Sequence, residues 1–385
     1  MRKQGNWILQ TLSYILVAAV ASAVTFVLCG RGTSKLAALQ TLLEEKFIGE
    51  VDSVALEDAA AAAMVDALGD RWSYYIPAAD YAAFEEQNKN AYVGVGLVLS
   101  AKKNQQGLEI MQVEPGGSAI EAGIVPGDIL VEADGKSVKE LDSAQLRELI
   151  RGKEGTTVSV SVLRNGEKLD FTLTRKTIQV KVVTFQMLAG NIGLIKINNF
   201  NDRCAEEAKE AIDTLLEQGA QALVFDVRNN PGGYVNQMTE LLDYLLPEGL
   251  LFHSVDYTGK EQRIESDAHE IKIPMAVLVN SQSYSAAEFF AAALDEYDRA
   301  VIAGEATCGK GYFQTWFRFQ DGSAVGLSVG KYFTPKGVSL AQTNGLVPEV
   351  LEKVDKETAA KIYAGLLSAE EDPQLQAAIR ALQQN

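Results

Sequence analysis

The chain begins with a long apolar run that follows two basic residues. Arg2 and Lys3 come first, and the apolar stretch Trp7–Leu28 spans 22 residues without a charge. A helix of that length crosses a bilayer, so residues 1–30 are predicted to form a single transmembrane anchor. The leading positive charges favour a cytoplasmic N-terminus and an extracytoplasmic remainder at the cell membrane. The alternative is a signal peptide cleaved after Ala23, which would release a secreted protein.

Two different periodicities follow the apolar run. Residues 31–90 carry apolar side chains at helical spacing, as in Leu56–Leu68, and predict a helical segment. From Tyr92 onward, short strand-like runs alternate with Gly, Pro and Asn turns. The predicted strands are Tyr92–Leu99, Leu108–Val113, Ile129–Ala133, Thr157–Leu163 and Lys168–Leu173, with one helix at Ser143–Arg151. Residues 91–177 are therefore predicted to form a β-rich domain.

From residue 178 the pattern alternates between strands and helices. The predicted strands include Ile192–Ile197, Ala222–Val227, Met275–Val279 and Ala300–Ala303, and the predicted helices Cys204–Gln218, Val235–Leu246 and Ala286–Tyr297. Such alternation is typical of a parallel sheet covered by helices. Residues 178–352 are thus predicted to form an α/β domain, followed by a helical segment over residues 353–385. The whole chain is predicted to be a multidomain α/β protein.

Charge and composition exclude several classes of function. Lysine and arginine total 35 against 51 aspartate and glutamate residues, a net charge of −16, whereas nucleic-acid binding requires a basic face. Three dispersed cysteines cannot build a disulfide framework, and two histidines leave little room for a histidine-built metal site. We find no phosphate-binding loop in the sequence. No metal, cofactor or nucleic-acid partner is therefore predicted.

A serine at the start of a helix is the first candidate for chemistry. The simplest interpretation of Ser285 is a capping box in which Glu288 bonds back to the cap amide. The alternative is that a strand-to-helix turn exposes the hydroxyl and directs helical N–H groups at an incoming carbonyl oxygen. A nucleophilic serine needs a base. The two histidines lie in no distinctive setting, although a histidine base stays open on the residues alone.

Lys310, which lies between two glycines, is the better candidate for the base. An exposed turn is the ordinary setting of such a lysine, but burial would disfavour the ammonium and leave an amine able to take a hydroxyl proton. Serine–lysine pairs are an established form of nucleophilic catalysis. Gly232 and Gly233 follow a predicted strand and could supply backbone N–H groups to an oxyanion, although a plain Pro-Gly turn explains them equally well.

A second glycine-containing loop opens the β-rich domain. The residues Tyr92, Gly94, Val95, Gly96 and Leu97 are predicted to form a loop that runs into a strand. Loop amides can bind the terminal carboxylate of a peptide, and the strand edge can pair with its backbone. This interpretation is strengthened by the glycine-containing turns at residues 114–119 and 125–130.

Together these motifs resemble the carboxyl-terminal processing peptidases, tail-specific serine proteases with a PDZ domain. Residues 91–177 resemble the PDZ domain, and residues 178–352 resemble the protease domain, whose α/β core is crotonase/ClpP-like. The motifs that carry the resemblance are Leu68–Tyr75, Asp226–Gly233, Gly304–Gln314, Lys331–Pro335 and Gly345–Pro348.

The resemblance implies a role for each candidate residue. Ser285 would be the nucleophile, Lys310 the general base and Gln314 the side chain that orients the lysine. The interval of 25 residues from Ser285 to Lys310 fits the family and selects Ser285 over Ser281 and Ser283. The oxyanion would be held by the amides of Gly232 or Gly233 and of Ala286.

The implied activity is hydrolysis through an acyl-enzyme, with the PDZ domain capturing protein or peptide substrates that have apolar free C-termini. The chain departs from the family pattern at Tyr284, which is bulkier than usual, and at Ala287, which replaces a serine. Two alternatives are an inactive PDZ scaffold and acyl-CoA chemistry on a crotonase-like core. Homo-oligomerisation is compatible with the sequence, which does not predict the oligomeric state.

Overall fold

The computed structural model describes residues 34–100 and 102–384. The predicted anchor Trp7–Leu28 lies outside this range. No helix within the described residues is long and apolar enough to cross a membrane. The described chain divides into two units, the first ending at Pro77 and the second beginning at Ala78.

The first unit contains a pair of helices and a short strand. These are α1 (Lys35–Lys46), α2 (Ser53–Asp66) and β1 (Tyr74–Ile76). Asp52 caps α2 by accepting a hydrogen bond from the amide of Ala55 at 3.0 Å. The hydroxyl of Tyr75 donates to Asp58 at 2.7 Å, which ties the strand to α2. The helical pattern read from the sequence is therefore present in this unit.

The second unit begins with a helix and the β-rich module. Its elements are α3 (Ala78–Asn88), β2 (Ala91–Gly94), β3 (Leu97–Leu99), β4 (Leu108–Val113), α4 (Ser118–Glu121), β5 (Ile129–Ala133), β6 (Lys136–Ser137), α5 (Ser143–Ile150), β7 (Thr157–Arg164), β8 (Glu167–Thr174) and β9 (Lys176–Gln179). An antiparallel sheet has the order β3-β4-β5-β7-β8, while β2 pairs with β9. The single strand predicted over Tyr92–Leu99 is in fact two strands, because the chain turns at Gly96, whose φ of 86° is left-handed.

The rest of the second unit is an α/β module with two sheets. Its elements are β10 (Val183–Leu188), β11 (Ile192–Ile197), α6 (Cys204–Glu217), β12 (Ala222–Asp226), α7 (Val235–Leu245), β13 (Gly249–Asp256), β14 (Glu261–Ser266), β15 (Met275–Val279), α8 (Ala286–Glu296), β16 (Ala300–Gly304), β17 (Tyr312–Arg318), β18 (Ala324–Phe333), α9 (Leu340–Thr343), β19 (Val350–Leu351), α10 (Lys356–Tyr363) and α11 (Pro373–Leu382). The main sheet has the order β10-β11-β12-β15-β16-β19. Its strands are parallel except β10, which is antiparallel to β11.

Helices cover both faces of the main sheet because its central strands are apolar on both sides. Leu223 and Phe225 of β12 pack with α6, α7 and α8, whereas Val224 packs with α11. This arrangement brings the carboxyl ends of β12 and β15 together at one edge, where ligand sites form in open α/β sheets. A second, antiparallel sheet includes β13, β14, β17 and β18, with a β-bulge between Phe313 and Gln314.

Candidate active site

Ser285 lies at a sharp turn between β15 and α8. Its φ of 60° and ψ of −124° are unusual for a residue with a side chain, and such a conformation costs about 1–3 kcal/mol. The nearby Ser283 is fully buried, and its hydroxyl donates to the carbonyl of Val227 at 2.7 Å while accepting from the amide of Asn280 at 3.0 Å. These bonds hold the Ser283 hydroxyl in the loop and give Ser283 a structural role.

Gly232 lies directly against the serine turn. A Cβ at this position would be 2.7 Å from Ser285 Cβ and 2.9 Å from the amide nitrogen of Ala286, so no side chain fits. The Gly232 N–H donates to Asn230 Oδ1 at 2.8 Å, and Asn230 is itself fully buried. Of the two glycines predicted as alternative oxyanion donors, Gly232 thus has an N–H that already bonds an acceptor. Among the described residues we find no acceptor for the N–H groups of Gly233 and Ala286.

Glu288 connects the serine turn to the lysine loop. Its carboxylate is fully buried, and Oε2 accepts hydrogen bonds from the amides of Ser285 and Lys310, each at 2.9 Å. Oε1 accepts from the Thr307 hydroxyl at 2.6 Å and from the Gly309 amide at 2.5 Å. The bond to Ser285 confirms the cap interaction predicted for Glu288. The three bonds to the lysine loop were not predicted from the sequence.

Tyr332 also lies at the site, although no role was predicted for it from the sequence. Its side chain is buried, and its hydroxyl donates to the carbonyl oxygen of Lys310. Burial, and then the charge of Glu288, raises the pKa of Tyr332 well above its ordinary value, while a hydrogen bond with Ser285 acts in the opposite direction. The phenol therefore stays protonated and remains a donor. The only sequence signal was its position within the motif Lys331–Pro335.

Gln314 lies in β17, four residues after Lys310. Lys310 itself is half-buried and lies in the loop before β17. The Gln314 amide nitrogen donates to Ser328 Oγ at 3.0 Å and to the carbonyl of Tyr312 at 3.3 Å. The β-bulge after Phe313 interrupts the regular alternation of the strand at this point. An orienting role of Gln314 toward Lys310 stays a prediction.

Both histidines have partners of their own. His253 in β13 stacks on Phe333 at 5.5 Å, and its Nε2 is 3.5 Å from a carboxylate oxygen of Glu261. His269 stacks on Tyr244 at 5.3 Å. Glu288 and Tyr332 are two polar side chains that contact the serine turn or the lysine loop.

A separate groove of about 430 Å³ lies in the β-rich module between β3 and α5. Of the predicted peptide-binding residues, Tyr92, Val95, Gly96 and Leu97 line it, together with Ser143, Leu146, Arg147, Ile150 and Arg151 on one face of α5 and at its end. Gly94 instead belongs to β2, where it pairs with Lys176.

The glycine end of the groove has the properties of a carboxylate site. The carbonyls of Val95 and Gly96 accept hydrogen bonds from Ala119 and Glu114 at 3.0 and 2.8 Å. Their N–H groups have no acceptor among the described residues. The guanidinium of Arg151 lies 4.8 Å from the Tyr92 ring centre and is paired with a carboxylate oxygen of Glu86 at 3.3 Å. The arrangement can accept an anionic chain terminus.

Comparisons with known proteins agree with this architecture. The family model for peptidase family S41 matches residues 191–351, and a PDZ domain model matches residues 91–174. The carboxy-terminal processing protease CtpA of Bacillus subtilis (strain 168) is 34% identical over 355 residues, which cover 87% of this chain and 75% of that protein. A CtpA-like serine protease of Staphylococcus aureus (strain COL) is 30% identical over 365 residues, covering 90% of this chain and 72% of that protein.

A solved structure from Bacteroides fragilis, described as an S41 protease, shares the fold. It has a TM-score of 0.54 and 16% identity, and the match covers 90% of this chain and 97% of that one. The sequence relatives and the two family models together establish membership. The chain belongs to peptidase family S41 and is a serine-type, carboxyl-terminal processing peptidase with a PDZ domain.

Proposed function

We propose that this chain cleaves proteins with free apolar C-termini by means of a Ser285–Lys310 dyad. The observation that carries the proposal is the shared carboxylate oxygen, because Glu288 Oε2 bonds the backbone amides of both residues at 2.9 Å. The two amides therefore lie within two hydrogen-bond lengths of each other. A strand-to-helix turn and a loop 25 residues later thus meet at one point.

The reaction begins with proton transfer from the Ser285 hydroxyl to the neutral amine of Lys310. Ser285 Oγ then attacks the scissile carbonyl carbon, and the carbonyl electron pair moves onto oxygen. When the C–N bond breaks, the lysine ammonium returns its proton to the leaving amine. Water, deprotonated by the same amine, hydrolyses the acyl-enzyme, releases the new carboxyl terminus and restores Ser285.

The transition-state oxyanion would be held by the N–H groups of Gly233 and Ala286. Ala286 is the first residue of α8, where backbone N–H groups and the helix dipole favour negative charge. Both N–H groups lack an acceptor among the described residues, which leaves them available to substrate. One such donor contributes about 3–4 kcal/mol to transition-state binding.

The PDZ domain would present the substrate by its tail. The N–H groups of Val95 and Gly96 receive the terminal carboxylate, and a peptide strand pairs with β3. An apolar terminal side chain would then contact Leu97, Leu146 and Ile150, which line the groove. Proteins that end in Ala, Val or Leu are the substrate class that this chemistry favours.

The proposed cellular setting rests on the sequence. A membrane anchor at Trp7–Leu28 with the remainder outside the cytoplasm would place the protease among exported proteins. Protease accessibility of the catalytic part in intact cells, compared with permeabilised cells, tests this orientation. Digestion only after permeabilisation would overturn it.

The catalytic assignment is tested with the full chain and an unfolded protein that ends in an apolar residue. Ser285→Ala, Lys310→Ala and Lys310→Arg should each abolish cleavage, because arginine stays protonated and cannot act as a base. Ser281→Ala is the matched control, since Ser281 is exposed in the same turn and should leave cleavage intact. Cleavage by Ser285→Ala would overturn the nucleophile, and cleavage by Lys310→Arg would overturn the base.

A further inference from the structure

We propose that Glu288 is a positioning residue that fixes the distance between the nucleophile and the general base; the inference rests on the proposed Ser285–Lys310 dyad. A helix cap would explain only one of the hydrogen bonds that the carboxylate accepts, the one from the Ser285 amide at 2.9 Å. The other three come from a loop 19 to 22 residues away, at Thr307, Gly309 and Lys310. Glu288 therefore connects the two catalytic segments as well as capping α8.

The donor set requires a carboxylate rather than a neutral amide. All four partners donate, and the Thr307 hydroxyl has little freedom to reverse, because its oxygen already accepts from the Leu346 amide at 2.8 Å. An ionised carboxylate only accepts, whereas a glutamine side chain has one oxygen and one donating NH₂ group. Glutamine at this position would therefore place a donor against two of the four donors.

The burial of Glu288 makes this connection rigid. The side chain is 0% exposed, so water cannot replace a lost partner. A buried carboxylate is tolerated only when its oxygens are satisfied by hydrogen bonds. The lysine loop must therefore stay in contact with the serine turn as long as Glu288 is charged and buried. The backbone segments that carry the reacting hydroxyl and amine are thereby held at one fixed spacing.

The position of Glu288 also explains why its replacement should lower kcat rather than raise KM. Displacement of a catalytic group by about 1 Å costs roughly 100-fold in rate. The PDZ groove, which captures the substrate tail, is built from residues of β3 and α5 and does not include Glu288. Loss of the carboxylate should therefore reduce kcat and leave KM for a tail-bearing substrate nearly unchanged.

The test compares Glu288→Gln with Glu296→Gln in the full chain. Glu296 is the matched control, because it lies on the same helix and its carboxylate also accepts from one hydroxyl and one amide, those of Thr334 and Lys336, both at 2.6 Å. We expect Glu288→Gln to lower kcat by about 100-fold with KM changed less than about twofold. Glu296→Gln should lower the Tm and leave kcat near that of the wild type.

Three outcomes would overturn the inference. These are an unchanged kcat in folded Glu288→Gln, a raised KM with unchanged kcat, and an equal loss of kcat in both variants. If Glu288→Gln does not fold, Glu288→Asp carries the test, because it keeps the charge but is one methylene too short to reach both segments. An unchanged kcat in Glu288→Asp would then overturn the inference. Ser285→Ala, measured in the same series, distinguishes a failure of the Glu288 inference from a failure of the proposed dyad. Activity in Ser285→Ala would overturn the dyad itself.

Discussion

Replacement of Asp372 by alanine should lower the free energy of unfolding, because Asp372 connects the C-terminal helix α11 to Arg228 after β12. The Arg228 guanidinium, at the end of β12, is buried between Asp226 and Asp372. Burial alone would lower the pKa of Arg228, but the two carboxylates raise it above its usual range, so the side chain stays charged. Arg228 also begins the loop that leads to Gly232 beside the nucleophile.

The expected cost of Asp372→Ala follows from two separate interactions. Asp372 caps α11 by accepting from the amides of Gln374 and Leu375, both at 3.1 Å, and loss of such a cap costs about 1 kcal/mol. It also accepts two bonds from Arg228, at 3.1 and 2.7 Å. Removal of one partner of a buried ion pair costs about 3–5 kcal/mol. Because Asp226 still pairs with Arg228, we expect the lower end of that range, about 3 kcal/mol, and with the cap a total of about 4 kcal/mol.

The free energy of unfolding is measured by urea denaturation followed by circular dichroism. Asp355→Ala is the matched control, since Asp355 caps the preceding helix α10 by accepting from the Thr358 amide at 2.7 Å and is exposed. In Asp355→Ala, the free energy of unfolding should fall only by the contribution of one helix cap. Equal losses in Asp372→Ala and Asp355→Ala would show that the pair with Arg228 contributes no stability.

Three further measurements probe the active site, substrate capture and the PDZ domain. Tyr332→Phe removes the donor to the Lys310 carbonyl and should lower kcat about tenfold, a change of about 1.4 kcal/mol, with KM unchanged; an unchanged kcat would exclude a catalytic contribution. A substrate with an amidated C-terminus should be cleaved far more slowly than its free acid, and equal rates would refute tail recognition. The Asp128 pKa is lowered mainly by its hydrogen bonds to Arg164, so this carboxylate stabilises the fold above its unfolded pKa. Asp128→Asn should therefore lower the Tm at pH 7, with the difference disappearing as pH falls below about 4; a pH-independent difference would refute the ion-pair explanation.

Much of the fold could be predicted from local patterns alone. The bounds predicted for Leu108–Val113, Ile192–Ile197 and Met275–Val279 agree with the structure. Leu108–Val113 carries exposed side chains between its buried ones, whereas Met275–Val279 in the main parallel sheet is apolar and buried throughout. Because burial on both faces requires continuous apolar residues, such strands can be predicted from the sequence.

Other elements were missed because their partners are distant in sequence. The hairpin Gly249–Asp256 and Glu261–Ser266 was not predicted, and its outer strand is mostly exposed and polar. Its position depends on pairing with β18, about 75 residues later, where His253 lies opposite Phe333. The helical segment predicted at the C-terminus is two helices, separated between Tyr363 and Pro373.

In the candidate site, too, local interactions could be predicted from the sequence and interactions between distant segments could not. The bond from the Ser285 amide to Glu288 is predictable, because a side chain at the third helical position reaches the cap residue in any helix with that sequence. The bonds from Thr307 and Lys310 to the same carboxylate depend on how β16 and the following loop pack beside α8, and no local pattern encodes that distance. A capping box in the sequence is therefore an incomplete description of a buried glutamate. A second acceptor oxygen cannot stay unsatisfied in the core, so a cap carboxylate that is buried, rather than exposed, implies further donors from another segment of the chain.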